Sequence, residues 1–180
     1  MKHVSIDTET LGTRAGCAVL SIGAVAFDYT RQLLGPSFYT VISRRSCKEA
    51  GLFEDRGTLA WWNRQSEQAR SILREASSGG ETLDDALDSL AAYLRQFGSD
   101  VRVWSCGADF DLPILGHLYA ISGRPQPWKY ANSRCYRTLK NLATGVAMER
   151  GGVHHNALDD AKSQATHAMK ILAQLAKVQS

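Results

Sequence analysis

The chain has 180 residues, of which 44% are hydrophobic and 22% are charged, so its composition is that of a globular protein with its own core. Its 21 basic and 18 acidic residues give a formal charge of +3, well below that of proteins that bind nucleic acid through surface charge alone. The four cysteines are widely spaced and form no C-x-x-C pair, which argues against a zinc finger or a disulfide framework. No signal peptide is visible and no segment approaches the roughly 20 apolar residues of a membrane span, so a cytoplasmic location without a membrane partner is expected.

The first part of the chain is predicted to form three strands joined by short linkers. Apolar and β-branched residues mark these strands at 3–7, 19–27 and 38–42. The linkers between them are rich in glycine, which is typical of turns. Strands that follow one another at such short spacing predict an antiparallel meander.

Helices dominate the rest of the chain, with one strand among them. A helix is predicted at 58–75, and a second one begins after Thr82, the expected N-cap, and ends before Gly98. A strand is predicted at 101–105, and further helices are predicted at 111–122, 137–144 and 157–177. Helix–strand–helix units after a meander predict an α/β protein in which helices flank a mixed sheet. One domain is expected over the whole chain, 1–180.

Two pairs of acidic residues lie where predicted strands end. Asp7 and Glu9 flank Thr8, and because residues two apart on a strand share a face, both carboxylates are expected at one spot with Thr8 turned away. Asp109 and Asp111 follow the fourth predicted strand, at the edge of the sheet where ligands bind in α/β proteins. Either aspartate suits a ligand role, and both roles are filled if Asp109 caps the next helix and Asp111 binds the ligand.

A third cluster lies at the start of the last predicted helix. His155 precedes Asp160 by five positions, so a loop histidine and a first-turn aspartate can face the same cleft. Spacing alone leaves His154 as an alternative to His155, and both Asp159 and Asp160 are suited to capping the helix. Carboxylates gathered in this way repel one another unless cations neutralise them, so the three clusters predict a divalent-metal site. Oxygen ligands beside a single histidine favour Mg²⁺ or Mn²⁺ over zinc.

The order Asp-x-Glu, Phe-Asp and His-x-Ala-Leu-x-Asp resembles the motifs of the DnaQ-like 3′–5′ exonucleases, the DEDD group with a histidine. Segments 59–65 and 135–139 resemble a narrower branch, the small bacterial and phage 3′–5′ exoribonucleases. The resemblance covers nearly the whole chain and implies a ribonuclease-H-like fold. Its mixed sheet of five to six strands is expected to begin with the antiparallel meander, to continue with parallel strands and to be flanked by helices. It also implies two Mg²⁺ or Mn²⁺ ions and a general base, His155. The implied metal ligands are Asp7, Glu9, Asp111 and Asp160.

Substrate contacts are predicted on both sides of the carboxylates. The residues assigned to the substrate are Thr10, Leu11, Gly12, Trp62 and Arg137. Leu11 is expected either to wedge against the terminal base or to lie in the core, whereas Gly12 is expected to let the backbone approach the substrate. One of the adjacent Trp61 and Trp62 is expected in the core and the other on a base. Arg137 is expected to pair with a phosphate or with an acidic neighbour.

The resemblance implies an enzyme that shortens single-stranded nucleic acid from its 3′ end and releases nucleoside 5′-monophosphates. RNA is favoured over DNA because of the narrower resemblance, and a 3′–5′ exodeoxyribonuclease is the first alternative. A ribonuclease-H-type endonuclease shares the fold and the carboxylates, and a nucleic-acid-binding protein without catalysis is expected to lack one of the carboxylates or the histidine. A homodimer is also expected, with an interface on the helix that carries Trp61 and Trp62.

Overall fold

The structure, a computed structural model, describes residues 1–143 and 145–178. In chain order its elements are β1 (His3–Thr10), β2 (Val19–Asp28), β3 (Leu33–Val41), α1 (Arg44–Glu49), α2 (Arg56–Trp62), α3 (Glu67–Ser78), α4 (Leu83–Arg95), β4 (Arg102–Ser105), α5 (Asp111–Ile121), a short 3₁₀ turn (Tyr130–Asn132), β5 (Ser133–Cys135), α6 (Tyr136–Leu142) and α7 (Ala157–Val178). Among these residues no helix is both long and apolar enough to cross a membrane.

The five strands form one mixed sheet in the order β3-β2-β1-β4-β5. Strand β1 pairs antiparallel with β2 and parallel with β4, whereas β3 pairs antiparallel with β2, and β5 pairs parallel with β4. The predicted meander followed by parallel strands is therefore confirmed. Because β1 lies at the centre of the sheet, side chains near its carboxyl end are within reach of the loops that follow its neighbours.

Helices cover both faces of the sheet, as shown by alternate side chains of β2 that pack into two different hydrophobic clusters. Ala24 and Ala26 belong to the larger hydrophobic cluster, together with residues of α3, α4 and α5. Val25 and Phe27 belong to a second cluster, together with residues of α6 and α7. Because both faces are buried, β1 and β2 read as nearly continuous apolar runs, which is typical of central strands.

The structure differs from the predicted elements in several places. The single helix predicted at 58–75 is two helices, because α2 ends at Trp62 and Ser66 begins α3 as an N-cap whose hydroxyl accepts from the Ala69 N–H. Helix α1 and the three-residue β5 were not predicted, since six and three residues are too few to show a period. The Thr82 N-cap is confirmed, since its hydroxyl accepts from the Asp85 N–H at 3.1 Å. The predicted end of α6 at 144 falls outside the described residues.

Candidate active site

The end of β1 supplies the first two carboxylates. Asp7 and Glu9 lie on the face of the sheet that α7 covers, as the strand period predicts, and their oxygens group with one of Asp160 within 4.8 Å of one another. Glu9 is buried and Asp7 is half-buried. The Gln164 amide, one turn further along α7, donates to Asp7 Oδ1 at 2.7 Å. The sheet face thus holds two acids, and one neutral donor contacts Asp7.

Asp111 supplies a third carboxylate from the first turn of α5, and it is almost fully buried. Its Oδ1 accepts from both the backbone N–H and the hydroxyl of Thr8, at 3.0 and 2.8 Å. The expectation that Thr8 turns away from the site is therefore wrong, because this side chain ties α5 to β1. Asp109 is exposed and does not cap α5, whose N-cap position is Phe110 without a side-chain hydrogen bond. Of the two aspartates, only Asp111 lines the cleft.

The beginning of α7 brings His155 and Asp160 to the same place because Gly23 leaves room for it. A Cβ at Gly23 would overlap the backbone of Ala157 and Leu158, so only glycine lets the first turn lie directly on β2. The cap of α7 is Asn156, whose Oδ1 accepts from the N–H groups of Leu158 and Asp159, and the side chains of Asp159 and Asp160 do not have this role. Asp160 Oδ2 instead accepts from the His155 N–H at 3.0 Å.

His155 is held at the edge of the cleft between two other rings. Its backbone has φ +63, a left-handed conformation that is rare outside glycine, and the hydrogen bond to Asp160 supports this turn. The Trp61 ring meets it edge-on at 4.8 Å, and the exposed His154 ring lies 3.8 Å away. Burial and the neighbouring His154 lower the pKa of His155, and Asp160 partly offsets that effect. The ring is therefore neutral near pH 7 and able to accept a proton.

The carboxylates lack the charge that would stabilise them. Burial is the main cause that raises the pKa of Asp7 well above its usual range, and the nearby Asp111, Glu9 and Asp160 add to it. Burial, together with the nearby Asp160 and Asp111, raises the pKa of Glu9 to about 8. Burial also raises the pKa of Asp111 to about 6, although the two hydrogen bonds from Thr8 oppose the shift.

This donor set fits a divalent cation of the Mg²⁺ or Mn²⁺ kind. Such ions take oxygen ligands, and the site offers carboxylate oxygens from β1, α5 and α7. The buried Gln164 Oε1, at the same cleft, has no hydrogen-bond partner among the described residues. Within the described part of the chain the cluster has one ion pair, which joins Asp160 to the half-exposed Arg150, so these residues leave the site with uncompensated negative charge.

The carboxylates and His155 line one open cleft of about 660 Å³. Basic side chains surround the carboxylates, so the cleft combines an acidic floor with a basic rim. These basic residues are Arg64, Arg137, Lys140 and Arg150. An anionic chain such as a nucleic-acid backbone matches a rim of this charge.

The predicted substrate contacts are only partly placed in the cleft. Thr10, Gly12 and Arg137 line it, but Leu11 is fully buried in the core, so its predicted role as a wedge is wrong. Gly12 has no room for a side chain, because a Cβ there would lie 2.6 Å from Cys17. Arg137 is exposed and donates to the Cys106 carbonyl at 3.0 Å. None of the described carboxylates forms an ion pair with it.

Both tryptophans line the cleft, and Trp62, which was assigned to the substrate, is the one that lies in the core. Trp62 is only 1% exposed, and its indole N–H donates to the Thr10 carbonyl at 2.9 Å, which fixes α2 to the end of β1. Trp61 is half-buried and flanks His155 in the cleft, so it is the more accessible of the two. The predicted dimer interface on α2 is also wrong, because none of the strongly exposed large apolar residues in the described chain lies on that helix.

Comparison with known proteins relates this site to nucleases. A family model described as the 3′–5′ exoribonuclease Rv2179c-like domain matches residues 2–172. An exodeoxyribonuclease of Enterobacteria phage T4 is 29% identical over 124 residues, which are 63% of this chain and 53% of the phage protein. The chain therefore spans about half the length of this curated relative.

Several solved nuclease structures share the fold at low sequence identity. The nuclease domain of 3′hExo, a DEDDh family member bound to rAMP, has a TM-score of 0.65 at 14% identity, covering 96% of this chain and 92% of that one. Exonuclease I of E. coli, in complex with a dT13 oligonucleotide, has a TM-score of 0.68 at 13% identity, covering 98% and 42%. Pop2p of S. pombe, in its Mg²⁺- and Mn²⁺-bound form, has a TM-score of 0.63 at 14% identity, covering 97% and 82%. These matches confirm the predicted ribonuclease-H-like fold.

Proposed function

Since the chain belongs to the Rv2179c-like 3′–5′ exoribonuclease domain family, we propose that it is a divalent-metal-dependent 3′–5′ exonuclease of single-stranded nucleic acid. The observation that carries this proposal is the cluster of carboxylates with raised pKa values in one cleft, with a neutral histidine beside them. A purely structural role does not account for so much uncompensated charge, because buried acids without counter-charges destabilise a fold. Residues 1–180 are proposed to form one exonuclease domain.

The proposed metal ligands are Asp7, Glu9, Asp111 and Asp160, and the proposed cofactors are two Mg²⁺ or Mn²⁺ ions. When bound, such ions stabilise the negative charge that develops on the attacking and leaving oxygens of a phosphodiester. The chain's own contribution is to fix the ligands before the substrate arrives. Thr8 holds Asp111 and Gln164 holds Asp7, so these two side chains position the carboxylates on which the chemistry depends.

His155 is the proposed general base. It takes the proton of the attacking water at near-neutral pH, for which its lowered pKa and its place at the cleft edge are suited. The hydrogen bond from its backbone to Asp160 links the base to the ligand cluster, so the two move as one unit. Trp61 packs against the imidazole and limits its rotation.

The substrate is proposed to lie along the basic rim with its terminal base near Trp61. Arg137 and Lys140 would bind backbone phosphates, and Thr10 and Gly12, which line the cleft, would contact the terminal nucleotide. Hydrolysis at the terminal phosphodiester releases a nucleoside 5′-monophosphate. RNA is proposed as the preferred substrate because of the family, and DNA is the second candidate because the phage relative is an exodeoxyribonuclease.

The test uses 5′-labelled single-stranded RNA and DNA of the same sequence, incubated with the protein and Mn²⁺. The expected result is a ladder that shortens stepwise from the 3′ end, faster for RNA, and that EDTA abolishes. Faster DNA shortening would favour the exodeoxyribonuclease alternative. Internal fragments without a ladder would indicate an endonuclease, and binding without cleavage would indicate a non-catalytic protein. The matched inactive control is Asp111→Asn, which keeps the volume of the side chain.

A homodimer is proposed as well, now with a different surface from α2. The edge strand β3 exposes Leu33 and Leu34, each at least 40% accessible, beside its unpaired edge. An exposed apolar strand edge is a common site of association. Light scattering is expected to give twice the 19.8 kDa of one chain at micromolar concentration, and a mass of one chain would refute the proposal.

A further inference from the structure

Among the described residues, Asp160 is the carboxylate of the cluster that has a cationic partner, and this partner is Arg150. Its guanidinium donates to Asp160 Oδ1 at 3.0 Å, and the other oxygen of Asp160 accepts from the His155 N–H at 3.0 Å. Both oxygens of the proposed ligand Asp160 are therefore engaged. The Arg150 side chain is 54% exposed, whereas that of Asp160 is only 14% exposed, so the arginine covers the carboxylate from the solvent side.

A divalent ion at the cluster would compete with this ion pair. The oxygens of Asp7, Glu9 and Asp160 lie within 4.8 Å of one another, so an ion between them would sit close to the oxygen that Arg150 holds. Two cations on one carboxylate repel each other. The doubly charged ion is also attracted by the other carboxylates of the cluster, which the guanidinium does not contact. Binding of the ion therefore favours departure of the guanidinium from Asp160.

Contacts with α7 on both sides of Arg150 hold the loop, so the side chain can leave Asp160 by rotation about its own bonds. Glu149 pairs with Lys170 of α7 at 3.0 Å. The Gly151 N–H donates to the Ser163 hydroxyl at 3.1 Å. The released guanidinium stays in the cleft that it lines, and its planar pair of donors matches a phosphate as well as it matches a carboxylate.

We propose that Arg150 is an exchangeable counter-ion: it holds Asp160 while the metal site is empty and transfers to a phosphate of the nucleotide when the divalent ion binds. This inference rests on the proposed function, because it requires the metal site. Arg150 is then a positioning residue that couples metal binding to substrate binding. Replacement of Arg150 should strengthen the binding of the divalent ion in the absence of nucleotide. It should also reduce the gain in nucleotide affinity that the bound ion produces.

The first experiment measures Mn²⁺ binding by calorimetry without nucleic acid, for the wild type, Arg150→Gln and Arg137→Gln. The two variants lose the same charge from the same cleft, but Arg137 contacts a carbonyl and no carboxylate, so it reports the long-range effect of charge alone. Arg150→Gln is expected to bind Mn²⁺ about three- to tenfold more tightly than Arg137→Gln, in line with the loss of a competing ion pair. Arg150→Lys should bind Mn²⁺ as the wild type does.

The second experiment measures AMP binding with and without saturating Mn²⁺. The gain in AMP affinity that Mn²⁺ produces should be at least about fivefold smaller in Arg150→Gln than in Arg137→Gln, because only Arg150 is released by the ion. Equal Mn²⁺ affinities in the two variants, or equal gains in AMP affinity on addition of Mn²⁺, would overturn the inference while leaving the exonuclease proposal intact. A wild type that binds no Mn²⁺ would overturn both, which separates the two failures.

Discussion

Replacement of Gly23 by alanine tests whether the packing of α7 on β2 sets the geometry of the site. Gly23 pairs with Asp7 across the two strands, and its missing side chain is what lets the α7 backbone touch the sheet. A Cβ here would lie far inside the 3.4 Å at which ordinary contact begins, and the atoms it meets are backbone atoms that cannot rotate away. The first turn of α7 must therefore recede by about 1 Å before the overlap is relieved.

That displacement has two calculable consequences. Overpacking of this kind costs about 1–3 kcal/mol in the free energy of unfolding. It also moves Asp160 and His155 away from Asp7 and Glu9, and a misplacement of about 1 Å at a catalytic site costs on the order of 10²-fold in rate. Urea unfolding measures the first effect. Single-turnover cleavage of a labelled oligonucleotide, well below the unfolding temperature, measures the second, and Mn²⁺ calorimetry shows whether the ligands have separated.

The matched control is Gly79→Ala at the end of α3. Gly79 has an extended backbone that alanine adopts freely, and a Cβ there would meet nothing closer than 4.0 Å. This variant should match the wild type within about 0.5 kcal/mol and in cleavage rate. If Gly23→Ala also cleaves at the wild-type rate and binds Mn²⁺ normally, then the close approach of α7 does not set the site, and the reasoning is wrong.

Three further predictions concern single side chains. Asp111→Asn should abolish turnover and weaken Mn²⁺ binding, whereas Asp109→Asn should change the rate less than about threefold, and the reverse ranking in a cleavage assay would show that the wrong aspartate was assigned. His155→Ala should lose on the order of 10²–10⁴ in rate and keep its Mn²⁺ affinity, whereas His154→Ala should lose far less; a dead His154→Ala would move the base by one position. Burial and nearby arginines lower the pKa of His3 to about 4, below its unfolded value of 6.5, so the stability that its neutral ring provides is complete above pH 6.5 and is lost as pH falls towards 4. Relative to His3→Gln, the wild type should lose about 2 kcal/mol between pH 7.5 and pH 5 in urea titrations, and an unchanged difference would contradict the assigned pKa.

The sequence predicted most of the sheet because its central strands are long and apolar. Strands β1 and β2 have buried residues on both faces, and their patterns alone located them. The edge strand β3 was placed five residues too late, since its exposed first half, with Gly35 and Pro36, reads as a linker. Pro36 is tolerated there because an edge strand needs hydrogen bonds on one side only.

The carboxylates proposed as metal ligands could be picked out because carboxylates at strand ends and helix starts stand out in a sequence. The residues that form hydrogen bonds or ion pairs with these carboxylates could not be predicted. Thr8 has no motif of its own, and its hydrogen bonds to Asp111 join positions 103 apart in the chain. Gln164 is one polar residue on a long helix, with nothing in the pattern to distinguish it from an exposed one. Arg150 lies in an irregular loop, where only the folded chain shows its partner.

The placement of Trp61 and Trp62 shows a different limit. Helical spacing establishes that two adjacent side chains cannot be buried equally, but the direction of the helix decides which one is buried. Here the Thr10 carbonyl, freed near the irregular end of β1, accepts the indole N–H of Trp62 and turns that side of α2 inward. A backbone acceptor on another element thus determines which tryptophan faces the cleft, and no local pattern reports it.

The unfavourable energetics of the carboxylate cluster indicate that the cluster serves function and not the stability of the fold. The pKa values of Glu9 and Asp7 are higher in the folded chain than in the unfolded chain. The free energy of unfolding therefore falls as pH rises above the unfolded pKa values, because the unfolded chain then loses its protons more easily than the folded one. The cluster therefore destabilises the metal-free protein in the pH range where His155, the proposed general base, is neutral. A bound divalent ion reverses the sign of this effect, because it stabilises the ionised form of every acid around it. Stability and activity then depend on the same ions, and their removal should affect both.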